Sequence, residues 1–193
     1  MIKMITHTGT QAIKTKRLTL RRFTTDDAEE MFKNWASDER VTRFLTWSPH
    51  RSPEESRAII ENWIAAYSDV SKYNWLIEFE GQAVGSIAVV RMSEKSEHAE
   101  LGYCLGFDFW GKGIMTEAAG AVIDYLFEKV NVNRVGISHA VKNPGSGRVA
   151  QKCGLTFEGV NREYFKSANG EFLDIANYGI LRREWEEKNK KCV

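Results

Sequence analysis

The sequence predicts an α+β or mixed α/β fold, with strands running in groups and helices set between them. Three observations carry this prediction. Residues 102–118 pass from an apolar strand through closely spaced glycines into a helix start. Trp75 to Phe79 and Val84 to Met92 alternate around Glu80-Gly81-Gln82, as the strands of a hairpin do. Met115, Ala118, Ala119, Val122, Leu126 and Phe127 recur at helical spacing and make one apolar face.

The elements follow in order. A strand over 17–23 leads through Thr24-Thr25-Asp26-Asp27, a capping signal, into a helix reaching about Trp35. Ser52-Pro53-Glu54-Glu55 starts a second long helix by the same logic, with proline in its first turn. After the hairpin come a strand over 97–106, a helix over 112–130 and a strand over 134–140. A short helix over 146–153 and strands near 155–166 and 171–182 complete the order. The charged residues 187–193 read as a frayed tail. There is no internal repeat or low-complexity segment, and 193 residues with 42% hydrophobic content suit a single domain over 1–193.

The glycine loop has the anatomy of a phosphate cradle. Gly111 and Gly113 let the backbone turn tightly and approach a ligand, and the following helix adds free N–H groups and the positive end of its dipole. A mononucleotide P-loop requires two glycines five positions apart followed by Lys and Ser/Thr, and no such string occurs. Gly145-Ser146-Gly147-Arg148-Val149-Ala150 matches the dinucleotide pattern formally. Its context is wrong, because Gly154 follows within about two turns where a long helix should open. The plain alternative is that both glycine clusters are ordinary turns, but each lies between a strand and a helix.

A set of strings runs in order along the chain from about residue 15 to residue 186. It begins with Thr15 to Arg22, Asp26-Asp27-Ala28-Glu29, Ala99 to Tyr103 and Trp110 to Ala118. It continues through Asn143-Pro144-Gly145-Ser146, Lys152-Cys153-Gly154-Leu155, Glu158-Gly159 and Arg162-Glu163. It closes with Asn169-Gly170-Glu171, Asp174 and Arg183-Glu184-Trp185. With these strings in this order, the chain resembles the GNAT superfamily of acetyl-CoA-dependent N-acetyltransferases, and within it the RimJ/RimL-like branch of ribosomal-protein N-terminal acetyltransferases.

The resemblance implies a mixed, largely antiparallel sheet, flanked by helices and splayed open at the acetyl-CoA cleft. Amides of Gly111, Lys112, Gly113, Ile114, Met115 and Thr116 would hold the pyrophosphate. The strand end Tyr103, Cys104 and Leu105 would bond the pantetheine arm and the acetyl carbonyl. Asn143 and Ser146 would face that arm from the other side, and Lys152 joins the cofactor contacts. The loop Phe44 to His50, with Trp47 at its centre, would lie over the acceptor amine; alternatively, Phe44 and Trp47 plug the edge of the core. Trp110 stands where the superfamily usually has Gln/Arg, and Met115 where it has Gly/Ala. Ala150 replaces a tyrosine that protonates the departing thiolate in many members, so Ser146 takes that role by resemblance.

Acetyl transfer to an amine needs a neutral nitrogen, stabilisation of an oxyanion and a proton for the leaving sulfur. Glu100, in the apolar run Ala99 to Leu105, is the candidate base and acceptor contact, unless it sits on a solvent face of its strand. An α-amine, with pKa near ~8, needs less help than a lysine at roughly 10.4. Ser146, just after Pro144, also reads as a helix N-cap. Cys104 reads better as a buried thiol than as a nucleophile. A hydrolase would need an activated serine; no G-x-S-x-G string occurs, and a Ser146–His139 pair is the weaker alternative.

The expected acceptor is a primary amine, first the N-terminal α-amine of a protein such as a ribosomal protein, then a small amine, polyamine or aminoglycoside-like. A CoA-binding module without turnover is the alternative from another class. Four histidines and three cysteines lack ligand spacing, so no metal is expected. A net charge of +1 and a pI near 7.7 lack the footprint of a nucleic-acid binder. Lys14, Lys16, Arg17, Arg21 and Arg22 are the densest basic cluster and read as the outer face of a strand. Sparse cysteines, no signal-like start and no apolar run near ~20 residues point to a cytoplasmic protein away from membranes. Monomer and homodimer both stay open.

Overall fold

The structure, a computed structural model, describes residues 5–168 and 170–190; the readings on Met1 to Met4, Asn169 and 191–193, Cys192 included, lie outside it. The chain opens with β1 (Ile13–Lys14) and β2 (Leu18–Arg21). A 3-10 turn (Thr25–Asp27) then leads into α1 (Ala28–Met31), which ends in a wider π turn (Phe32–Ala36). There follow α2 (Glu39–Thr42), α3 (Pro53–Ala66), β3 (Asn74–Phe79), β4 (Gln82–Ser93) and β5 (His98–Leu105). A 3-10 turn at Phe107–Phe109 precedes α4 (Ile114–Tyr125), which runs on as a π turn over Leu126–Val130. The remaining elements are β6 (Arg134–Ala140), α5 (Pro144–Lys152), β7 (Thr156–Lys166), β8 (Phe172–Leu181) and α6 (Arg182–Lys190).

The strands form one sheet in the order β1-β2-β3-β4-β5-β6-β8-β7. Every neighbouring pair is antiparallel except β5 and β6. That parallel pair is short: it holds from His98↔Arg134 to Leu101↔Ile137, while β5 continues to Leu105 and β6 to Ala140. Beyond Leu101 the two strands part. This is the splayed sheet that the resemblance implied.

Alternation along the strands divides the core between the two faces. Trp75, Ile77, Leu101 and Ile137 pack against Ile114, Ala118 and Val122 of α4 on one face. Leu76 and Ala83 pack with Met31, Trp35 and Ile60 of the first helices on the other. Each such large side chain, fully withdrawn from water, stabilises the fold by about 1.5–3 kcal/mol. The sheet is therefore anchored by packed helices on both sides.

Several elements differ from the sequence reading. The short β1, α2 and α6 were not anticipated, and the expected tail is helical as far as Lys190. The capping signal holds at Asp27, whose carboxylate accepts the Thr24 N–H at 2.7 Å and hydroxyl at 3.1 Å. The cap of α5 is Asn143, whose side chain accepts the Ser146 N–H at 3.4 Å; Ser146 is inside the helix. The basic cluster is no free outer face. Arg21 grips Asp27 and Glu78, Arg22 donates to the Thr10 carbonyl, and Arg17 sits in the β1–β2 turn and reaches α4.

Candidate active site

The cradle is built by two glycines in left-handed backbone. Gly111 and Gly113 both have φ near 76°, a conformation in which a Cβ would be strained. Gly113 is the N-cap of α4, and its carbonyl accepts the first helical bond, from the Glu117 N–H at 3.0 Å. Among the described residues, no hydrogen bond engages the N–H groups of Gly111 through Thr116. Six consecutive amide donors at a helix start, with α4 behind them, suit a diphosphate.

The adjacent strand end is oriented by the chain's alternation. Gly106 donates its N–H to Val84 on β4 at 2.8 Å, and Cys104 lies opposite Ser86. The N–H and C=O groups of Tyr103 and Leu105 therefore point the other way, into the space where β6 has diverged. The Leu105 carbonyl receives the Trp110 indole N–H at 2.7 Å, which leaves the Leu105 N–H facing the cleft. Cys104 behaves differently from its neighbours. Its backbone is turned to β4, its thiol lies 3.3 Å from the Ser86 hydroxyl and packs on the second core, and burial pushes its pKa up. It offers neither a backbone contact to the cleft nor a thiolate.

Across the cleft stands α5. The Tyr103 hydroxyl donates to the Ser146 carbonyl at 3.2 Å, and burial raises this phenol far above its ordinary range. Asn143 Nδ2 donates to Ser146 Oγ at 3.2 Å, so that hydroxyl keeps its own proton for another acceptor. Lys152, at the other end of α5, lines a groove of about 170 Å³ that begins at Thr116. His139 does not pair with Ser146. Its Nδ1 lies 2.8 Å from the Ala140 carbonyl, and its ring stacks on Tyr178.

Glu100 faces the opposite side of the sheet from α4, in a cleft of about 410 Å³ that also contains Arg91, His98, Ser138, Asn161 and Asn177. Its side chain is only 13% exposed, yet its surroundings are not apolar: Arg91 Nη1 lies 2.9 Å from Oε2. Gly136, paired with Glu100, leaves the space beside the carboxylate to the His98 ring, 2.9 Å from where a Cβ would stand. Farther up, Ser138 donates to Asn177 at 3.0 Å, and Asn177 donates to Asn161 at 3.3 Å, giving the cleft a polar floor. Trp47 is not in this cleft. It packs on the second core beside His50, and Phe44 of the same loop crosses to Ala140 and Ile175 at the parted strand ends.

A glycine loop of free amides with a sheet parted beside it is the arrangement that the resemblance implied; Glu100 opens on the far side of that sheet. The acetyltransferase (GNAT) domain family matches residues 17–156. The chain belongs to the GNAT acetyltransferases. The uncharacterized N-acetyltransferase YoaA of Bacillus subtilis is 31% identical over 172 residues, covering 88% of this chain and 96% of that protein. The crystal structure of a GNAT-family acetyltransferase from Bacillus anthracis superposes with a TM-score of 0.78 at 25% identity, covering 90% of this chain and 100% of that one. Two Escherichia coli K12 enzymes are also related. The ribosomal-protein-serine acetyltransferase is 28% identical over 133 residues, 68% of this chain and 71% of its own. The spermidine N(1)-acetyltransferase is 24% identical over 123 residues, 63% of this chain and 65% of its own.

As a GNAT N-acetyltransferase, the chain uses acetyl-CoA. No group of three or more His, Cys, Asp or Glu among the described residues is placed to hold a metal, and no helix there is long and apolar enough to cross a membrane. Arg91, Ser138, Asn161 and Asn177 went unnoticed in the sequence. Each is an ordinary polar residue on a strand, and only the pairing of strands far apart in the chain brings them beside Glu100.

Proposed function

We propose that this acetyltransferase modifies the N-terminal α-amine of a protein, with a ribosomal protein as the leading candidate. The observation that carries the reading is the pairing of every carboxylate in the Glu100 cleft. Glu100 is held by Arg91 and Glu158 by Arg134, so the cleft has no surplus negative charge for a polycation such as spermidine. A single amine attached to a neutral peptide suits it better, and the polar floor of Ser138, Asn161 and Asn177 offers hydrogen bonds to a peptide backbone. The relationship to a ribosomal-protein-serine acetyltransferase supports the same class.

The roles divide by position. Amides of Gly111 through Thr116 hold the diphosphate, and Tyr103, Leu105 and Asn143 line the path of the pantetheine arm. Acetyl-CoA supplies the acyl carbon as a thioester. Glu100, directly or through water, takes the proton that the amine gives up as its C–N bond forms, and Arg91 sets the direction of the carboxylate. The Leu105 N–H faces the developing oxyanion. Ser146, whose oxygen is already bonded by Asn143, gives its proton to the sulfur as the C–S bond breaks. Lys152 attracts the nucleotide end of the ligand.

An acceptor panel tests the class. A short peptide with a free α-amine, the same peptide Nα-blocked but carrying an internal lysine, and spermidine are compared by kcat/KM near neutral pH. The free α-amine is expected to lead by at least about tenfold, in keeping with its lower pKa. Preference for spermidine would replace this reading with the small-amine one.

A further inference from the structure

We infer that Arg17 is a positioning residue for the diphosphate cradle, fixing the Lys112–Gly113 peptide and masking the Glu117 carboxylate at the start of α4. The inference rests on the reading of residues 111–116 as the diphosphate site. Arg17 lies in the turn between β1 and β2, far from the cradle in sequence, yet its side chain ends on it. Nη1 donates to the Lys112 carbonyl at 3.0 Å, and Nη2 lies 3.5 Å from where a Cβ on Gly113 would stand. Nε donates to Glu117 Oε2 at 2.7 Å, and the Arg17 backbone N–H donates to Oε1 at 2.9 Å. The Thr15 hydroxyl adds the carboxylate's third bond, to Oε1 at 2.6 Å.

Two consequences follow from elementary geometry and charge. In a planar trans peptide the C=O and the next N–H point in opposite directions. Drawing the Lys112 carbonyl towards Arg17 therefore turns the Gly113 N–H away from Arg17, to the side where it can serve a ligand. The second consequence concerns Glu117. A carboxylate in the first turn of a helix is favoured by the helix dipole, but it repels an anion that uses the same dipole. Desolvation would raise its pKa, yet the bonds from Thr15 and Arg17 outweigh this and hold it below the usual range, so it stays ionised. Three donors and one guanidinium charge turn it away from the cradle and neutralise it. The 3.5 Å spacing is ordinary van der Waals contact, so the glycine is required here by its φ of 76° and not by the guanidinium.

The test separates a role at the cradle from a general role in folding. Acetyl-CoA and acetyl-pantetheine share the thioester, but only the first carries the diphosphate. Arg17→Ala is expected to lower kcat/KM for acetyl-CoA at least tenfold through KM, and that for acetyl-pantetheine by less than twofold. Arg17→Lys retains the charge but cannot bridge Glu117 and the Lys112 carbonyl together; it is expected to show a smaller loss confined to acetyl-CoA. Adding Glu117→Gln to Arg17→Ala is expected to restore part of the loss, because the unmasked carboxylate is gone. Equal losses on both thioesters in Arg17→Lys, or no loss on either, would overturn the inference while leaving the cradle reading intact. Wild-type protein that treats the two thioesters alike would overturn the cradle reading, and the inference with it.

Discussion

In the proposed mechanism, Glu100 is the residue on which the chemistry turns. Its carboxylate is shielded from solvent but held by Arg91, so its direction is fixed before an acceptor arrives. Glu100→Gln keeps the shape and removes the base. General-base assistance is commonly worth 10²–10⁴-fold, and an α-amine, already partly neutral near pH 8, needs the lower end of it. The expected outcome is a fall in kcat of about 10²-fold with the acetyl-CoA Kd unchanged within about twofold, read by steady-state thiol release and calorimetry. A fall in acetyl-CoA affinity instead would mean that Glu100 serves the cofactor. Glu100 was readable from the sequence because it interrupts an apolar strand. Arg91 was not, since only the antiparallel register of β4 and β5, with its irregularity between Val89 and Arg91, places them together. The same holds for Arg17 and Glu117, a hundred residues apart in the chain.

At the scale of elements, local signals were readable and long-range docking was not. The hairpin β3–β4 and helix α4 announced themselves through alternation and helical spacing, and the glycine loop through its composition. Helix α6 is almost entirely charged. It is held by Arg182, which donates to the carbonyls of Phe127 and Val132, and by Trp185, which stacks on Phe127 and bonds Asp124 at 2.7 Å. No periodicity reveals such a helix. The first helical stretch gives a pH prediction of its own. Burial would raise the Asp27 pKa, but Arg21 and Thr24 together hold it below its ordinary value. A carboxyl depressed in the folded state contributes stability that is fully present above its unfolded pKa, about 3.9, and is lost as pH falls through the folded value. Asp27→Asn is therefore expected to destabilise the protein by about 1–3 kcal/mol at neutral pH, the range for breaking a partly shielded charged pair. The difference should shrink below about pH 4 in denaturant titrations. A gap that stays constant across pH would show that the ion pair contributes little.

For the whole molecule, the sheet and its helices act as a frame that holds two half-sites at a fixed distance. In the proposed reading, helices α4 and α5 supply the cofactor side, and the face bearing Glu100 supplies the acceptor side. Between the two, the β5–β6 pairing ends at Leu101↔Ile137. Edge strand β7 is irregular at Phe157/Gly159 and at Asn161/Phe165, and Glu163, with φ of 48°, is anchored through its N–H to Asp174. Such bulges re-aim side chains beside a site and keep an edge from pairing with another chain. The proposed reaction carries the acetyl group of acetyl-CoA bound at the glycine loop to an α-amine. Its most direct measurement is a calorimetric titration of the purified protein with acetyl-CoA, with NADH as control, followed by free-thiol detection on adding a peptide with a free α-amine. Saturable binding of acetyl-CoA alone, with thiol released only when the peptide is present, is the expected result. Binding without release for any amine would contradict the enzyme reading, and no binding of acetyl-CoA would contradict the account at its base.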